Sequence, residues 1–386
     1  MELDSRYPAV SDLAHRARQR LPKFVWEYLD SGTGTEATKA RNRTALDQVG
    51  FLPSILHGPI DVDLSTTLFG ETLPLPFGVA PLGMSGLIWP NAERHLAKTA
   101  ATAGIPYSLS TVATQSPEDL APHLGSQGWF QLYPPKAPDI RKDMLERAKS
   151  AGFKVLVLTV DVPVASRRER QGRSGLTQPP KLTPRLLAQV MMRPAWALGM
   201  AQRGMPHMRT LDKYIDASLG SLSSTAHIGY LLRTSPDWDY VQWLRDHWDG
   251  PLVIKGVLRP EDAERLEKVG ADALWVSNHA GRQFDGCPAS IEMLPLIRQA
   301  TDLPLIFDSG IESGLDILRA LALGANYVML GRAFHFALAA LGPTGPAHLI
   351  DILKKDLQAN MGQMGCDNLN NLPTPVTMSP SIKIDK

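Results

Sequence analysis

Eight short apolar runs, each followed by a helical pattern, restrict the fold of this sequence more than any other feature. The runs are four to six residues long and occupy residues 77–81, 107–110, 129–133, 155–160, 252–255, 273–277, 305–308 and 327–330. Strands that alternate with helices predict a parallel sheet, and eight is the number of strands that closes a barrel. An open doubly wound sheet is the rival, but it should carry a GxGxxG turn after its first strand, and none follows here. The sequence therefore predicts the α/β class and a (β/α)8 TIM barrel.

The spacing of the runs predicts one domain with additions at three places. A helical pattern over residues 13–29 precedes the barrel as an N-terminal helical segment. After strand 4 no clear barrel element appears until about Trp238, which predicts a long excursion over about residues 170–235. Residues 373–386 are predicted to be a disordered tail. We therefore expect a single barrel domain over residues 1–372, with the excursion inside it.

Charge and cysteine usage exclude several classes of protein. The chain has 40 basic and 39 acidic side chains and a formal net charge of +1, so no global field attracts nucleic acid. Its two cysteines, Cys287 and Cys366, form neither a disulfide framework nor a set of metal ligands. Residues 1–21 lack the apolar segment of a signal peptide. These features predict a cytoplasmic protein without a structural metal.

Polar side chains collect where the runs end, and in a barrel those ends form one rim. They are Gln131, Tyr133, Thr159, Asp161, Lys255, Ser277, His279 and Asp308. Contact with solvent alone would make strand ends polar, but it explains poorly why a His, an Asp and a Lys end separate strands. Active sites of barrel enzymes lie at this rim, so we predict the site there.

A histidine beside a carboxylate is the commonest arrangement of a general base, and His279 and Asp161 suit these roles. An isolated His is more often structural, but Arg282 lies three residues after it and Arg168 seven after Asp161. Guanidinium groups grip carboxylates through paired hydrogen bonds, which indicates an anionic substrate. From the run of arginines at 167, 168 and 170 alone, two of the three are expected on a solvated face.

The last two strands carry a different signal, because glycines follow each of them directly. Barrels often bind phosphate at this place, through backbone amides and a helix N-terminus, and Arg332 would add a charged contact. A phosphorylated cofactor or substrate is therefore predicted. Lys255 would either lie against a flavin ring or form a Schiff base as in barrel aldolases, and residue types alone leave both readings open.

One stretch near strand 6, SNHAGRQFDG, closely resembles the SNHGGRQLDG signature of the FMN-dependent L-2-hydroxy acid dehydrogenases and oxidases. Further motifs of that family follow in family order between about Leu21 and Arg332: LPKFVWEYLDSG, PFGVAPLGMSGL, SLSTVAT, WFQLY, LTVDVP, RRER, VIKGV, FDSG and ALALGANYVMLGR. The resemblance implies an FMN enzyme that oxidises a lactate-like or mandelate-like 2-hydroxy acid to the 2-oxo acid. A barrel aldolase, a flavin-dependent isomerase and a scaffold with a degenerate site are the competing classes.

The resemblance also assigns roles to individual residues. His279 matches the base, Asp161 its carboxylate partner, and Tyr133 and Arg282 complete the catalytic set. Substrate binding is carried over to Tyr28, Tyr133, Arg168 and Arg282. Cofactor binding is carried over to Pro81, Leu82, Gly83, Ser110, Gln131, Thr159, Lys255, Ser277, Asp308, Gly310, Gly331 and Arg332. Lys255 is thereby expected to stabilise negative charge on the reduced flavin.

The sequence departs from the family pattern at a few positions. Glu312 occupies the place of an arginine that helps to bind the phosphate in many relatives, and we expect its carboxylate to turn away. Ala280 replaces the glycine after the base. Gly83 stands where oxidases of the family mostly have alanine and dehydrogenases tend to have glycine. Val112 matches a position near the substrate side chain, with a volume that admits lactate and an aromatic acid.

The excursion carries the features of a segment that lies on a membrane surface. Its basic residues from 181 to 213 are Lys181, Arg185, Arg193, Arg203, Arg209 and Lys213, against the single acid Asp212. Between them lie the apolar residues Leu186, Leu187, Val190, Met191, Met192, Trp196, Leu198, Met200, Met205 and Met208. This pattern suits the headgroup region of an anionic bilayer, and membrane-associated members of the family carry an insertion at this place. Pro194 and Pro206 exclude one long helix.

The excursion therefore predicts a protein on the inner face of the cell membrane that passes electrons to a quinone. A lid packed on the barrel or a subunit contact is the alternative for the segment. The alternative function is a soluble oxidase that uses oxygen and produces hydrogen peroxide. The resemblance further implies a homo-oligomer, a tetramer.

Overall fold

The computed structural model describes residues 3–175, 183–214 and 234–378. Eight parallel strands form a closed barrel in which each strand pairs with its chain neighbours and the last pairs with the first. We number them β1 (Phe77–Val79), β2 (Tyr107–Ser110), β3 (Gly128–Leu132), β4 (Val155–Thr159), β5 (Leu252–Val257), β6 (Ala273–Val276), β7 (Leu305–Phe307) and β8 (Tyr327–Leu330). The prediction of a (β/α)8 barrel is confirmed.

Side chains fill the interior of the barrel, so it is a packed core and not a channel. The interior cluster contains Trp129, Trp275, Tyr327 and Met329, all almost completely buried. A hairpin before β1 (Thr66–Leu68 and Glu71–Leu73) packs Leu68 and Leu73 against this cluster and closes the end at which the strands begin. The opposite end, where the strands finish, is thereby left as the open face.

Helices surround the barrel and cover the outer faces of the strands. The α-helices are Leu3–Arg6, Val10–Arg20, Lys23–Asp30, Ala37–Asp47, Ser85–Ile88, Ala92–Ala103, Pro117–Leu120, Pro138–Ser150, Glu169–Arg173, Pro184–Met191, Pro194–Arg203, Trp238–His247, Pro260–Lys268, Ser290–Ala300, Gly314–Ala322, Arg332–Leu341 and Gly345–Met364. The helix Arg332–Leu341 is buried along nearly its whole length, because the helix Val10–Arg20 packs across it.

The N-terminal segment forms two helices where the sequence pattern predicted one over residues 13–29. The first ends at Arg20, and Leu21 is extended with φ −90° and ψ 142°. Pro22 disfavours the helical conformation for the residue before it and then begins the next helix, Lys23–Asp30. The break turns the second helix toward the rim of the barrel, where its Tyr28 lines the cavity described below.

The start of the C-terminal tail is ordered, so the prediction of disorder from residue 373 is wrong for residues 373–378. Val376–Thr377 forms a short antiparallel ladder with Val49–Gly50, and the amide of Met378 donates to the carbonyl of Gln48 at 2.7 Å. Pairing of its backbone with another segment holds this part of the tail in place. Residues 379–386 lie outside the described residues.

Within the excursion, two short helices pack on the N-terminal segment. Trp196 donates from its indole nitrogen to the carbonyl of Leu87 at 3.0 Å and meets the ring of Phe24 edge-on at 5.7 Å. Gln189 accepts from the amide of Phe24 at 3.0 Å and so caps the start of the helix that carries Tyr28. Residues 176–182 and 215–233 of the predicted excursion lie outside the described residues.

One stretch of the described chain, Arg332–Met364, is long and apolar enough to cross a membrane by length and composition alone. Its most apolar window has a mean hydropathy of 1.3, but 72% of that window is buried inside the protein. The two helices of this stretch pack against each other, and the first of them, Arg332–Leu341, also packs against the helix Val10–Arg20.

Candidate active site

A cavity of about 560 Å³ opens at the face where the strands end. Its size is typical of a site for a cofactor and a small substrate. The predicted residues that line it are Tyr28, Pro81, Leu82, Gly83, Tyr133, Arg168, Lys255, His279, Arg282, Asp308, Gly310, Gly331 and Arg332. Asp161, Ser110, Gln131, Thr159 and Ser277 lie behind this wall, in contact with one another or with its members.

His279 and Asp161 form a hydrogen-bonded pair at the rim. Nδ1 of His279 lies 3.1 Å from both carboxylate oxygens of Asp161. A carboxylate can only accept, so Nδ1 carries the proton and the lone pair of Nε2 is left free. Asp161 approaches because the residue beside it is Gly256, where a Cβ would lie 2.6 Å from the Cβ of Asp161.

The electrostatic surroundings keep this histidine neutral at pH 7 and the aspartate ionised. Burial lowers the pKa of His279, and the charges of Lys255 and Arg168 add to this, while Asp161 opposes it. For Asp161, burial acts to raise the pKa, but the interactions with His279 and Lys255 outweigh it and the pKa is lowered. A neutral imidazole supported by a carboxylate is competent to accept a proton.

The loop that carries His279 is held in a strained conformation. His279 and Ala280 have φ values of 56° and 53°, in the left-handed region that favours glycine. Just before them, Asn278 exchanges two amide hydrogen bonds with Asn42, at 2.8 and 2.7 Å, and both residues are buried. The amide of His279 donates to the hydroxyl of Ser277 at 3.0 Å. These contacts fix the imidazole, and alanine at position 280 adds strain that glycine would not.

Two arginines of the cavity wall, Arg168 and Arg282, lie near each other, and neither forms an ion pair with a carboxylate among the described residues. Nη1 of Arg282 donates to the carbonyls of Tyr28 and Ser31, both at 2.9 Å, and more weakly to that of Leu29. Burial lowers the pKa of Arg282 well below its usual range, and the charges of Arg168 and Arg332 lower it further. Cations brought together in this way favour binding of an anion.

The two tyrosines are partly buried and protonated. Tyr28 donates its hydroxyl to the carbonyl of Gly83 at 2.8 Å, and burial raises its pKa. Burial, followed by the charge of Asp161, raises the pKa of Tyr133 far above its usual value. Both hydroxyls therefore act as neutral hydrogen-bonding groups at neutral pH.

Lys255 is a buried cation in the wall. Its ammonium group donates to the hydroxyl of Ser277 at 2.6 Å and forms an ion pair with Asp308 at 2.8 Å. It also lies 4.8 Å above the ring of Trp275. Because the amine is held by both Ser277 and Asp308, it is not free to attack a carbonyl group, which disfavours the Schiff-base reading.

A row of buried polar side chains continues from Lys255 along the strand ends. Ser110 donates to Gln131 at 2.9 Å, and Gln131 donates to Thr159 at 2.9 Å. Thr159 lies opposite Lys255 in the pairing of β4 with β5. Every member of the row is at most 4% exposed. Burying such polar side chains costs free energy unless each of them has hydrogen-bond partners.

On the phosphate side, Glu312 is exposed to solvent and is one of the residues that line the cavity with Arg332 and Gly310. Desolvation by the surrounding protein raises the pKa of the Glu312 carboxyl group, while the charges of Arg43, Arg332 and Lys39 act to lower it. Those cations offset the charge of Glu312, which explains how a carboxylate is tolerated beside a predicted anion site.

His335, which the sequence analysis missed, links the two glycine-containing loops of the cavity. Its Nδ1 donates to the carbonyl of Gly331 at 2.8 Å, and its Nε2 lies 2.7 Å from the hydroxyl of Ser85. Ser85 in turn donates to the carbonyl of Leu82 at 2.9 Å. Burial lowers the pKa of His335 to about 4. Its position three residues after Arg332 was the only signal in the sequence.

The buried His335 is expected to make the fold sensitive to acid. An unfolded histidine has a pKa of about 6.5, so the unfolded chain takes up a proton in the window from pH 6.5 to 4 while folded His335 does not. The free energy of unfolding should therefore fall by about 3 kcal/mol across that window through this residue. Urea denaturation of wild type and His335→Gln at pH 7, 5 and 4 checks this. Parallel losses of stability in the two proteins would contradict it.

Two apolar side chains shape the outer part of the cavity. Val112 lies beside Gly83, where a Cβ would approach the Cγ2 of Val112 to 2.5 Å. Met208, from the excursion, lines the cavity together with Ala165 and Val162. The excursion thus contributes to the wall of the site.

Comparison with known proteins places these features in a family. A profile described as FMN-dependent dehydrogenase matches residues 17–378. An L-lactate dehydrogenase from Ectopseudomonas mendocina is 40% identical over 364 residues, covering 94% of this chain and 96% of that protein. A crystal structure of (S)-mandelate dehydrogenase, described as a monotopic membrane protein, superposes with a TM-score of 0.90 at 34% identity, covering 96% and 99% of the two chains. A mandelate oxidase structure superposes with a TM-score of 0.81 at 34% identity, covering 96% and 98%.

Proposed function

Because this chain belongs to the FMN-dependent dehydrogenase family, we propose that it oxidises an L-2-hydroxy acid of the lactate or mandelate type and passes the electrons to a membrane quinone. The observation that carries the proposal is the meeting of a neutral base, His279, with two arginines, Arg168 and Arg282, in one cavity wall. A 2-hydroxy acid presents a carboxylate next to the hydroxyl whose proton must leave. The cavity wall offers the two arginines for the carboxylate and His279 for the proton.

His279 accepts the proton of the substrate hydroxyl at Nε2 in this proposal. The imidazolium that forms is stabilised by Asp161, whose carboxylate already accepts from Nδ1 at 3.1 Å. Tyr133 lines the same cavity with a protonated hydroxyl and is proposed to bond the substrate oxygen. Arg168 and Arg282 hold the carboxylate, and Tyr28 supports it from the N-terminal segment.

The residues of the cavity fit an FMN group. FMN supplies the two-electron acceptor for the oxidation. Lys255 would hold the polar edge of the ring from β5, with Gln131 and Thr159 behind it. The backbone from Pro81 to Gly83 would contact the ring, and Gly310, Gly331 and Arg332 would receive the phosphate. The ammonium group of Lys255 is buried and charged, as a group that stabilises negative charge on the ring must be.

The test is anaerobic reduction of the purified holoenzyme. L-lactate, (S)-mandelate and their enantiomers are mixed with the enzyme, and the loss of the flavin absorbance band is followed. We expect rapid reduction by at least one L-2-hydroxy acid and none by its enantiomer. Reoxidation is then measured with oxygen and with a soluble quinone analogue. No reduction by any 2-hydroxy acid would overturn the proposed function, and faster reoxidation by oxygen than by quinone would favour the soluble oxidase.

Gly83 is expected to set the size of the substrate that is accepted. In Gly83→Ala the new methyl group would displace Val112, which it approaches to 2.5 Å, into the cavity. The kcat/KM for mandelate should fall by about ten-fold relative to that for lactate, since one methyl group in a pocket is worth roughly 10–200-fold. The double variant Gly83→Ala/Val112→Ala should restore the ratio. A ratio that is unchanged in the single variant would contradict this reading.

The membrane proposal rests on the outer face of the excursion. Five of its apolar side chains are more than half exposed: Leu187, Met191, Met192, Leu198 and Met205. Arg185 and Arg203 are also exposed, and within the described parts of the chain neither has an ion-pair partner. The mandelate dehydrogenase that superposes on this chain is described as monotopic.

The structure also restricts which residues of the segment can reach a bilayer. Trp196 and Met200 pack inward and are 3% and 7% exposed, so they are not part of the membrane face that the sequence pattern suggested. Arg209 and Lys213 pair with Asp119 and Asp143. Lys181 lies outside the described residues. The proposed contact is therefore the outer face of two helices, on the inner surface of the cell membrane.

Replacing the outer face is expected to release the protein from vesicles. In a variant with Leu187, Met191, Met192 and Leu198 changed to serine, the fraction that sediments with anionic vesicles should fall by about ten-fold at low salt. High salt should weaken binding of the wild type, because each basic residue near the surface contributes about 1 kcal/mol. The control changes Leu52 and Ile55, which lie outside the excursion and are more exposed than those four residues, to serine. A wild type that stays in the supernatant at low salt would end the membrane proposal.

The homotetramer implied by the resemblance stays a prediction. Light scattering coupled to size-exclusion chromatography in detergent measures it directly. A monomer under those conditions would contradict it.

A further inference from the structure

We infer that Arg170, which does not line the cavity, is a positioning residue that sets the distance between Tyr28 and Arg168. This inference rests on the proposed function, because it concerns the grip on the substrate carboxylate. Arg170 belongs to the run of three arginines of which two were expected on a solvated face. In the structure its guanidinium is enclosed by three carboxylates, those of Glu27, Asp30 and Glu36.

All three carboxylates belong to the segment that carries Tyr28. Glu27 and Asp30 flank Tyr28 on the helix Lys23–Asp30, and Glu36 begins the next helix. Nη1 of Arg170 donates to Glu36 at 2.8 Å, Nη2 donates to Asp30, and Nε lies against Glu27. The exposed fractions of the three acidic side chains are between 13% and 22%. All three nitrogens of the guanidinium group therefore contact the segment that carries Tyr28.

Arg170 itself belongs to the segment that carries Arg168. Arg168 lies two residues earlier, in the left-handed conformation with φ 45°, and its amide donates to the hydroxyl of Thr33 at 3.3 Å. The amide of Gly34 donates to Glu169 at 2.8 Å. The two segments are thus joined by Arg170 and by two backbone contacts beside it.

The remaining charges around this cluster cannot replace Arg170. Lys39 pairs with Asp30 at 2.9 Å, and Arg332 also acts on Asp30 from the cavity side. Arg282 and Arg332 donate to backbone carbonyls of the same segment, between Tyr28 and Ser31. Without Arg170, three carboxylates would face Lys39 alone on the outer side, and repulsion between them would move the segment away from Arg168.

The experiment measures how tightly the holoenzyme binds oxalate, a dicarboxylate that cannot be oxidised at a hydroxyl group, from the change in the flavin spectrum. For Arg170→Gln we expect the Kd to rise about ten-fold, since a misplacement of about 1 Å can lose up to 10²-fold. The rate of flavin reduction at saturating substrate should change by less than about three-fold, because Arg170 does not touch the base. Arg170→Lys keeps the charge but reaches fewer carboxylates and should give an intermediate Kd.

The control is Arg147→Gln, which removes another partly buried guanidinium that pairs with a carboxylate, Glu118, away from the cavity. It should leave the Kd unchanged. An unchanged Kd in Arg170→Gln, or an equal rise in Arg147→Gln, would overturn the positioning role. If Arg170→Gln does not fold, an unchanged Kd in Arg170→Lys overturns it equally. A wild type that binds no oxalate and is reduced by no 2-hydroxy acid would instead refute the proposed function.

Discussion

Replacing His279 by asparagine is expected to slow flavin reduction by about 10²–10⁴-fold, the contribution typical of a general base. The variant should still bind FMN, because His279 is one of many wall residues and its loop is fixed by Asn278 and Ser277. Stopped-flow reduction of the FMN-loaded variant measures the effect. In the wild type the rate should fall as the pH drops through the lowered pKa of His279, since protonation removes the base.

The matched control for this prediction is His348→Asn. His348 is also buried and hydrogen-bonded, to the carbonyl of Tyr7 at 2.9 Å, but it does not line the cavity. The flavin of the His348→Asn variant should be reduced by substrate at the rate measured for the wild type. Reduction of His279→Asn at that same rate, with the best L-2-hydroxy acid as substrate, would show that another group takes the proton.

Changing Arg282 to lysine is expected to weaken substrate binding by about 10²-fold. The substitution keeps a positive charge but removes the planar fork, and the hydrogen bonds of a charged group are worth about 1.5–3 kcal/mol each. Lysine also cannot hold the carbonyls of Tyr28 and Ser31 while it reaches a ligand. The Kd from the dependence of the reduction rate on substrate concentration measures the loss.

Arg319→Lys serves as the control for the second prediction. Arg319 is a largely buried arginine that donates to the carbonyl of Val49 at 2.8 Å and to Asp316, outside the cavity wall. Its replacement should lower stability without changing the substrate Kd. If Arg282→Lys bound substrate as tightly as the wild type, the carboxylate would have to be held elsewhere.

The barrel could be predicted because its signal is local and repeated. Each strand is a short apolar run, and the run ends in the residue that reaches the rim, as Lys255 does in β5. The pairing of His279 with Asp161 followed from the same logic, since the ends of β4 and β6 lie on one rim, on either side of β5. The helical break at Pro22 was missed although the proline was visible, because the apolar spacing on both sides of it continued.

Contacts between distant segments could not be predicted in this way. The three carboxylates around Arg170 come from more than 130 residues earlier in the chain, and no spacing connects them to it. The cations Arg43 and Lys39 that act on Glu312 belong to another helix, and no spacing in the sequence places them beside it. The short ladder formed by the C-terminal tail could not be predicted for the same reason, since Val376 pairs with the distant Gly50.

The arrangement of the site across the whole chain has a consequence for how the protein matures. Asp161 lies 118 residues before His279, and Tyr28 lies 254 residues before the arginine that holds its carbonyl. Contacts of such sequence separation form late, because long loops must close first. During synthesis, neither the pair of His279 with Asp161 nor the contact of Arg282 with Tyr28 exists until β6 has joined the barrel. A cofactor that binds only the finished site then stabilises the complete fold and no partial one, so flavin uptake reports that folding has ended.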